Sequence, residues 1–304
     1  MVEHGMLPGR RLTIAIASGK GGTGKTLVAT NLAVATARAG VPTVLVDCDV
    51  EAPNDALFLA PETLDSREVT FPLATVDQAA CTSCGKCRDA CAYGAIRLLG
   101  DTVVVFAELC HGCGLCTTVC PTAAITEVPQ RVGDVEWGAV PVGVADPGGI
   151  KMVTGRLEIG DVKATNVIRA ARRQADVFSR NITILDASPG VACSAVAATH
   201  GVDMLVLVTE PTPFGLHDLD LAVRLGRDLG IPMGVVINRD GAGSADLDAY
   251  LLDAGVSVLA RIPFDRSIAE AYADGGLVLD SHPDAAGWFD AIWDGIAQLT
   301  VEAE

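Results

Sequence analysis

The octapeptide GKGGTGKT, residues 19–26, constrains the fold more than any other part of the chain. It follows the short apolar run LTIAIAS (12–18) and precedes LVATNLAVATARAG (27–40), a helix-length stretch closed by Gly40. A second apolar run, VPTVLVDCD (41–49), comes next. Strand, glycine loop, helix and strand in this order make a βαβ unit, which requires a parallel sheet with helices on its faces. The loop fits G-x-x-x-x-G-K-[ST]. Its glycines let backbone N–H groups, here those of Gly21, Gly22, Thr23 and Gly24, turn inward around phosphates. Lys25 is then placed to neutralise the β- and γ-phosphates, and the Thr26 hydroxyl to ligate Mg²⁺.

The same grammar resumes after residue 180. NITILDAS (181–188), DMLVLVTE (203–210), PMGVVINR (232–239) and SVLARIPF (257–264) are near-continuous apolar runs of strand length, as parallel strands buried on both faces require. Helical stretches such as GLHDLDLAVRLGRDLG (215–230) and SADLDAYLLDAG (244–255) separate them. Residues 69–130 break the pattern with dense Cys and Gly. This predicts a small unit inserted into a surface connection, where insertions are tolerated best, between a first part (1–68) and a second part (131–304) of the P-loop domain. Residues 131–163 alternate and turn on glycines, predicting hairpins, and ATNVIRAARRQA (164–175) reads as a helix returning to the core. The expected fold class is α/β, a mostly parallel P-loop sheet with a small α+β insert. A chain of 304 residues, half of them hydrophobic, accommodates one large domain or two smaller ones.

Ten cysteines are too many for ordinary use in a reducing compartment, and eight fall in two matched runs. The first is Cys81-x₂-Cys84-x₂-Cys87-x₃-Cys91; the second is Cys110-x₂-Cys113-x₂-Cys116-x₃-Cys120, followed by Pro121. This is the spacing of bacterial two-cluster ferredoxins, in which each fourth Cys ligates the other [4Fe–4S] cluster. The expected ligand sets are therefore Cys81, Cys84, Cys87 and Cys120 for one cluster, and Cys110, Cys113, Cys116 and Cys91 for the other. Zinc is the rival, but tetrahedral zinc sites rarely come as two interleaved runs. Ala92 stands where a proline usually follows the fourth Cys, which loosens that turn without removing a ligand. His111 between ligands reads as an exposed loop residue, Cys48 as a small buried residue at a strand end. Cys193, seven residues after Asp186, reads as a core or switch residue, with a transient cluster or partner contact as the alternative.

The loop also carries a second, early lysine, Lys20. KGGTGKT resembles the deviant Walker A motif of the MinD/ParA group of P-loop ATPases, which includes Mrp-type Fe–S carriers and the nitrogenase iron protein. The resemblance implies an ATP-sandwich homodimer in which Lys20 reaches the partner's nucleotide. It extends to VDCDVEAPN, where Asp49 would orient or activate the attacking water and Asp47 support Mg²⁺ and the loop. It extends also to ILDASPG, where Asp186 would hold Mg²⁺ through water. Asn238 in VVINR would read adenine, and IPFD (262–265) would close over the base. The whole chain resembles ferredoxin-inserted members of that superfamily. The family's C-terminal CxxC and the iron protein's second bridging-cluster ligand are both absent.

Charge narrows the function. A net charge of −16 (22 Lys and Arg against 38 Asp and Glu) disfavours nucleic acid and anionic lipid. The basic cluster Arg169, Arg172 and Arg173 reads as a solvated helix face. The opening MVEHGMLPGRR lacks the apolar segment of a signal peptide, and free thiols suit the reducing cytoplasm. The tail WFDAIWDGIAQLTVEAE is acidic, with Trp288, Phe289 and Trp293 expected on the core rather than in a membrane. The expected activity is ATP hydrolysis with Mg²⁺, coupled to two [4Fe–4S] clusters for electron transfer to a redox partner. A cluster or metallocofactor assembly carrier and a MinD/ParA-like positioning switch are the alternatives.

Overall fold

A computed structural model describes residues 11–141, 149–178, 181–243 and 246–302. Residues 1–10, on which the expectation of no leader rests, and residues 142–148, part of the stretch expected to form hairpins, lie outside the described residues.

The chain opens with strand β1 (Leu12–Ala17), helix α1 (Lys25–Arg38) and strand β2 (Thr43–Asp47). A short α2 (Ala56–Leu59) follows, then the long strand β3 (Glu62–Val76). The cysteine region contains α3 (Lys86–Ala90), the hairpin β4 (Ile96–Leu99) and β5 (Thr102–Val105), and α4 (Leu115–Thr118). Strands β6 (Ile125–Val140) and β7 (Ile150–Leu157) return the chain to the main body through α5 (Ala164–Phe178). Alternating strands and helices complete it: β8 (Ile182–Asp186), α6 (Cys193–Thr199), β9 (Met204–Thr209), α7 (Pro213–Asp228), β10 (Met233–Asp240), α8 (Leu247–Ala254) and β11 (Ser257–Pro263). Helices α9 (Arg266–Ala273), α10 (Val278–Ser281) and α11 (Ala285–Glu302) close the fold.

Among the described residues one nine-stranded sheet runs in the order β11-β10-β9-β1-β8-β2-β7-β6-β3. Its pairings are parallel from β11 through β7, and β7–β6 and β6–β3 are antiparallel. Every apolar run read as a strand lies in this sheet. Alternate residues of each strand serve opposite faces. Ile14 and Ile16 pack with Leu27, Leu32, Phe289 and Ile292 under α1 and α11, whereas Ala15 and Ala17 face the layer of α5 and α7 with Val167, Ile168 and Val223. Burial of each large aliphatic side chain contributes roughly 1.5–3 kcal/mol, so these layers hold the strand ends in fixed relation. Phe289 is fully buried, and Trp288 and Trp293 pack partly buried on the same layer. Among the described residues no helix is long and apolar enough to cross a membrane.

The cysteine region grows out of the sheet itself. The β3–β6 ladder runs from Glu62↔Ala139 to Val76↔Ile125, so positions 69 and 130 both fall within paired strands. Residues 77–124 form the lobe at its far end. The second cysteine run folds back along the ladder: a Cβ on Gly112 would meet the Pro72 carbonyl at 2.8 Å and the Phe71 ring at 3.0 Å. Lys163, just before α5, donates to the carbonyls of Ala107 and Glu108, both at 3.0 Å, with its ammonium 4.9 Å from the Phe71 ring centre.

Candidate functional site

Ligands of open α/β sheets bind beyond the carboxyl ends of parallel strands. Here the ends of β1, β2, β8, β9 and β10 deliver Gly19–Thr26, Asp47, Asp186, Glu210 and Asn238 to one edge. A cavity of about 400 Å³ opens there, lined by Gly21, Gly22, Gly24, Lys25, Thr26, Asp49 and Asn54 at one end. Asn238, Arg239, Pro263, Phe264, Asp265 and Tyr272 line the other. The IPFD segment thus reaches the cleft as expected.

The glycine loop takes the backbone a phosphate cradle needs. Gly22 and Gly24 have φ of 79° and 99°, open to glycine and strained for other residues. Gly24 caps α1, so the helix N-terminus points into the cavity. A Cβ on Gly24 would lie 2.3 Å from the Asn238 amide nitrogen. That amide donates one hydrogen to the Thr23 carbonyl at 2.8 Å, so Asn238 braces the loop and keeps its carbonyl oxygen and second N–H for a base.

Acidic groups surround the loop lysine. Lys25 is buried, with Asp186 and Asp49 near enough to feel its charge. The Thr26 hydroxyl donates to Asp186 at 2.6 Å and lies 3.2 Å from the Asn54 side-chain oxygen. Asp47 is fully buried and accepts the backbone N–H groups of Asp49 (3.1 Å), Asn54 (2.8 Å) and Asp55 (3.1 Å). Its role in this structure is to shape the 49–55 loop. Burial first, then the neighbouring Asp186 charge, pushes the Asp47 carboxyl well above the usual range. Burial raises Asp186 and half-buried Asp49 as well, with Lys25 opposing. Among the described residues no N–H or hydroxyl donor reaches either Asp55 oxygen or one Asp186 oxygen, and the two carboxyls lie within hydrogen-bond range of each other. Carboxylates held this way call for a cation, and hard oxygen donors beside a phosphate cradle suit Mg²⁺. Asp55 gave no signal in the sequence beyond that of a turn aspartate.

Lys20 does not point away from its own subunit. It pairs with Glu210 at 2.5 Å, and Glu210 also takes Arg239 at 3.1 Å. Burial acts to raise the Glu210 carboxyl, but Lys20 and Arg239 outweigh it and hold it below its usual value. Arg239 itself has φ of 53°, a strained value for a residue beside the cleft. The segments that read as switches are tied together: Cys48 N–H donates to Asp186 O (2.9 Å), Ser188 Oγ to Cys48 O (2.7 Å), and Gly190 N–H to Ser18 O (2.9 Å). Cys48 is fully buried, as expected. Cys193 is not a core residue; it is exposed at the first position of α6. Of the basic cluster, Arg172 is occupied by the Ala197 carbonyl at 2.7 Å.

The eight other cysteines repeat a backbone pattern. Residues two and four after the first Cys of each run have positive φ (Ser83 54° and Gly85 77°; Gly112 58° and Gly114 69°), as do those three after the fourth (Gly94 64°, Ala123 52°). Such turns aim N–H groups at sulfur: Ser83 at Cys81 (3.4 Å), Gly112 at Cys110 (3.5 Å), Ala124 at Cys120 (3.3 Å). Cys87 is near Cys81 and Cys120 across the runs. Cys91 of the first run lines a small cavity with Cys110, Cys113 and Cys116 of the second. Cys84 and Cys113, at matching positions of the two runs, are both exposed. Burial first, then neighbouring thiols, raises Cys87 and Cys116, the cost a cationic centre would offset. At Cys120 the burial penalty is outweighed by N–H and hydroxyl donors around it, and its thiol is lowered. Among the described residues no three His, Cys, Asp or Glu converge closely enough to hold a single ion. Thiolates around a multi-iron cluster each bind a different iron and need not converge on a point. His111 is exposed and stacks on Tyr93 at 3.7 Å over the second set.

Residues 14–278 match the family model described as the CobQ/CobB/MinD/ParA nucleotide binding domain. An uncharacterized protein of Methanocaldococcus jannaschii is 28% identical over 274 residues, covering 87% of this chain and 90% of that protein. An iron-sulfur cluster carrier protein of Aquifex aeolicus is 26% identical over 304 residues, 94% of this chain and 66% of that one. Among solved structures, the cell division ATPase MinD of Pyrococcus furiosus superposes with a TM-score of 0.58 at 20% identity, over 95% of this chain and 99% of that one.

Proposed function

Because the chain belongs to the CobQ/CobB/MinD/ParA nucleotide-binding family of P-loop ATPases, we propose that it is a homodimeric, cytoplasmic ATPase whose nucleotide state is coupled to two [4Fe–4S] clusters and gates electron transfer to a redox partner. The ferredoxin-like unit falls within residues 69–130. Cys81, Cys84, Cys87 and Cys120 hold one cluster, and Cys110, Cys113, Cys116 and Cys91 the other.

In the ATPase half, the N–H groups of Gly21 to Gly24 hold the phosphates and Lys25 offsets their charge. Mg²⁺, when bound with ATP, neutralises charge on the phosphates; Thr26 and Asp186 are the residues that would hold it. Asp49 positions the water that attacks the γ-phosphorus as the bridging oxygen bond to ADP breaks. Phosphoryl transfer of this kind is mostly positioning and charge neutralisation. Asn238 offers its carbonyl oxygen to the base. Lys20 acts across the dimer after leaving Glu210, so its pair in one protomer is a parked state.

The observation that carries the coupling is a single row of the sheet. Val50, next to Asp49, accepts the Leu157 N–H at 2.8 Å. Leu157 pairs with Gly133, and Gly133 with Val69. Two residues on, Phe71 and Pro72 carry the Gly112 turn of the second cysteine run, and Lys163 clamps residues 107–108 from the other side. A movement of the 49–55 loop is therefore transmitted through hydrogen-bonded backbone rather than through solvent.

The likeness to an iron-sulfur cluster carrier protein supports a second reading, in which a cluster is delivered. Two full thiolate sets argue for resident clusters instead, and the acidic α11, packed on the core, argues against a membrane-positioning switch. Anaerobic reconstitution followed by iron and sulfide analysis and EPR tests the assignment. About eight irons per chain, with Cys120→Ser disturbing the first cluster and Cys91→Ser the second, supports the reading. An iron-free protein that binds one or two zinc ions instead would refute it.

A further inference from the structure

Asp55 has no part in the site as the family motifs define it, yet it is fully buried beside Asp47 and Asp186. Aspartate at the start of a helix ordinarily caps it. Here the side chain caps nothing: α2 has no side-chain cap bond, and the Asp55 backbone N–H is given to Asp47. Neither carboxyl oxygen receives a donor from the protein. Its carboxyl lies within hydrogen-bond range of the Asp186 carboxyl, of which one oxygen receives no N–H or hydroxyl donor. Lys25 is buried near enough to act on Asp49 and Asp186, and Asp55 adjoins Asp47, Asp186 and Asp49. Asp47 is saturated by backbone N–H groups, so Asp55 and Asp186 are left with open oxygens on the wall that carries Thr26.

We propose that Asp55 is a second metal-orienting carboxylate of this site, which with Asp186 accepts hydrogen bonds from the water shell of the Mg²⁺ bound with the nucleotide. Asp55 touches neither phosphate nor the attacking water; it is a positioning residue. It also makes metal and nucleotide interdependent. Its contribution to nucleotide binding comes through the ion it helps to hold.

The inference rests on the reading of a Mg²⁺-nucleotide site, and one experiment separates the two. Affinity for a fluorescent ATP analogue is titrated in Mg²⁺ and in EDTA, for wild type and the near-isosteric Asp55→Asn, and Mn²⁺ binding to the nucleotide complex is followed by EPR. Wild type is expected to bind the analogue more tightly with Mg²⁺. In Asp55→Asn the gain from Mg²⁺ should shrink about 10-fold or more, with Mn²⁺ bound correspondingly more weakly. Affinity in EDTA and the metal-free thermal midpoint should be unchanged, because the Asp55 carboxyl receives no N–H or hydroxyl donor that the amide would lose. An unchanged Mg²⁺ gain in the variant overturns the role of Asp55 alone. Equal losses with and without metal, or a lowered metal-free midpoint, would make Asp55 a structural residue, and Asp55→Ser repeats the comparison with a smaller polar group. Absence of any Mg²⁺ gain in wild type overturns the metal reading together with the inference.

Discussion

Replacing Lys163 by Met should disconnect the second cluster from the nucleotide without dismantling either. The side chain makes two hydrogen bonds of 3.0 Å to the Ala107 and Glu108 carbonyls and stands 4.9 Å from the centre of the Phe71 ring. A hydrogen bond from a charged donor is worth about 1.5–3 kcal/mol, and a cation–π contact near solvent about 0.5–1 kcal/mol. Lys163 is only half-buried, so solvent takes back much of this. A tether of about 1–2 kcal/mol is left. A ligand shifts an equilibrium only by its differential interaction with the two states. A nucleotide-dependent shift of about 60 mV corresponds to roughly 1.4 kcal/mol for one electron, the same size as the tether. The Met variant, which keeps the aliphatic stem over Phe71, should therefore lose half or more of any shift at the cluster of Cys110, Cys113, Cys116 and Cys91. Potentiometric EPR with MgADP and with a non-hydrolysable MgATP analogue reads this directly. A shift that persists undiminished in Lys163→Met would refute the argument that this contact transmits it.

Lys25→Ala should abolish ATP turnover, measured as phosphate release, while both clusters assemble with unchanged absorbance; loss of the clusters would mean that the two units are not independent in folding. Gly155→Ala should slow turnover and loosen the 49–55 loop, because a Cβ there would press on the Val50 side chain at 2.7 Å; hydrogen exchange at Leu157 is the check, and unaltered protection would count against the sheet row. Metal-free protein should lose stability as pH rises from roughly 4 to 8. Asp186 and Asp47, raised to about 6 and about 8, keep in the folded state protons that an unfolded carboxyl releases near 3.8. That stability is full below the unfolded value and is lost through the folded ones, and MgADP should flatten the dependence; a thermal midpoint that rises across this window in metal-free protein would contradict the cause assigned to these shifts.

How far sequence carries depends on the range of each interaction. The strands, the phosphate loop and the two cysteine runs are local patterns, legible because each needs particular residues at fixed spacing. Asp47 and Asp49 are equally visible as a pair, but their division of labour is not, since it depends on which backbone N–H groups the 49–55 loop folds inward. Nothing in the sequence sets Asp55 apart; it is buried where α2 meets α9, with the Phe58 and Tyr272 ring centres 4.7 Å apart and Gly275 against the Leu57 carbonyl. Lys20 and Glu210 are 190 residues apart and meet only because β1 and β9 are sheet neighbours. The density of cysteine marks an insert between 69 and 130, whereas the ladder that bears it extends well into both flanks. Cys193, seven residues after Asp186, reads as a core or switch residue, and the turn places it exposed at the start of α6.

The central claim, that nucleotide state and cluster state are energetically linked, is tested most directly by an anaerobic redox titration of both clusters. EPR would follow each cluster first with MgADP and then with a non-hydrolysable MgATP analogue. A shift of about 60 mV or more in at least one cluster, equivalent to roughly 1.4 kcal/mol for one electron, is the predicted result. Identical potentials in the two nucleotide states would contradict the claim and leave the cysteine unit as a docking or sensing module on an ATPase.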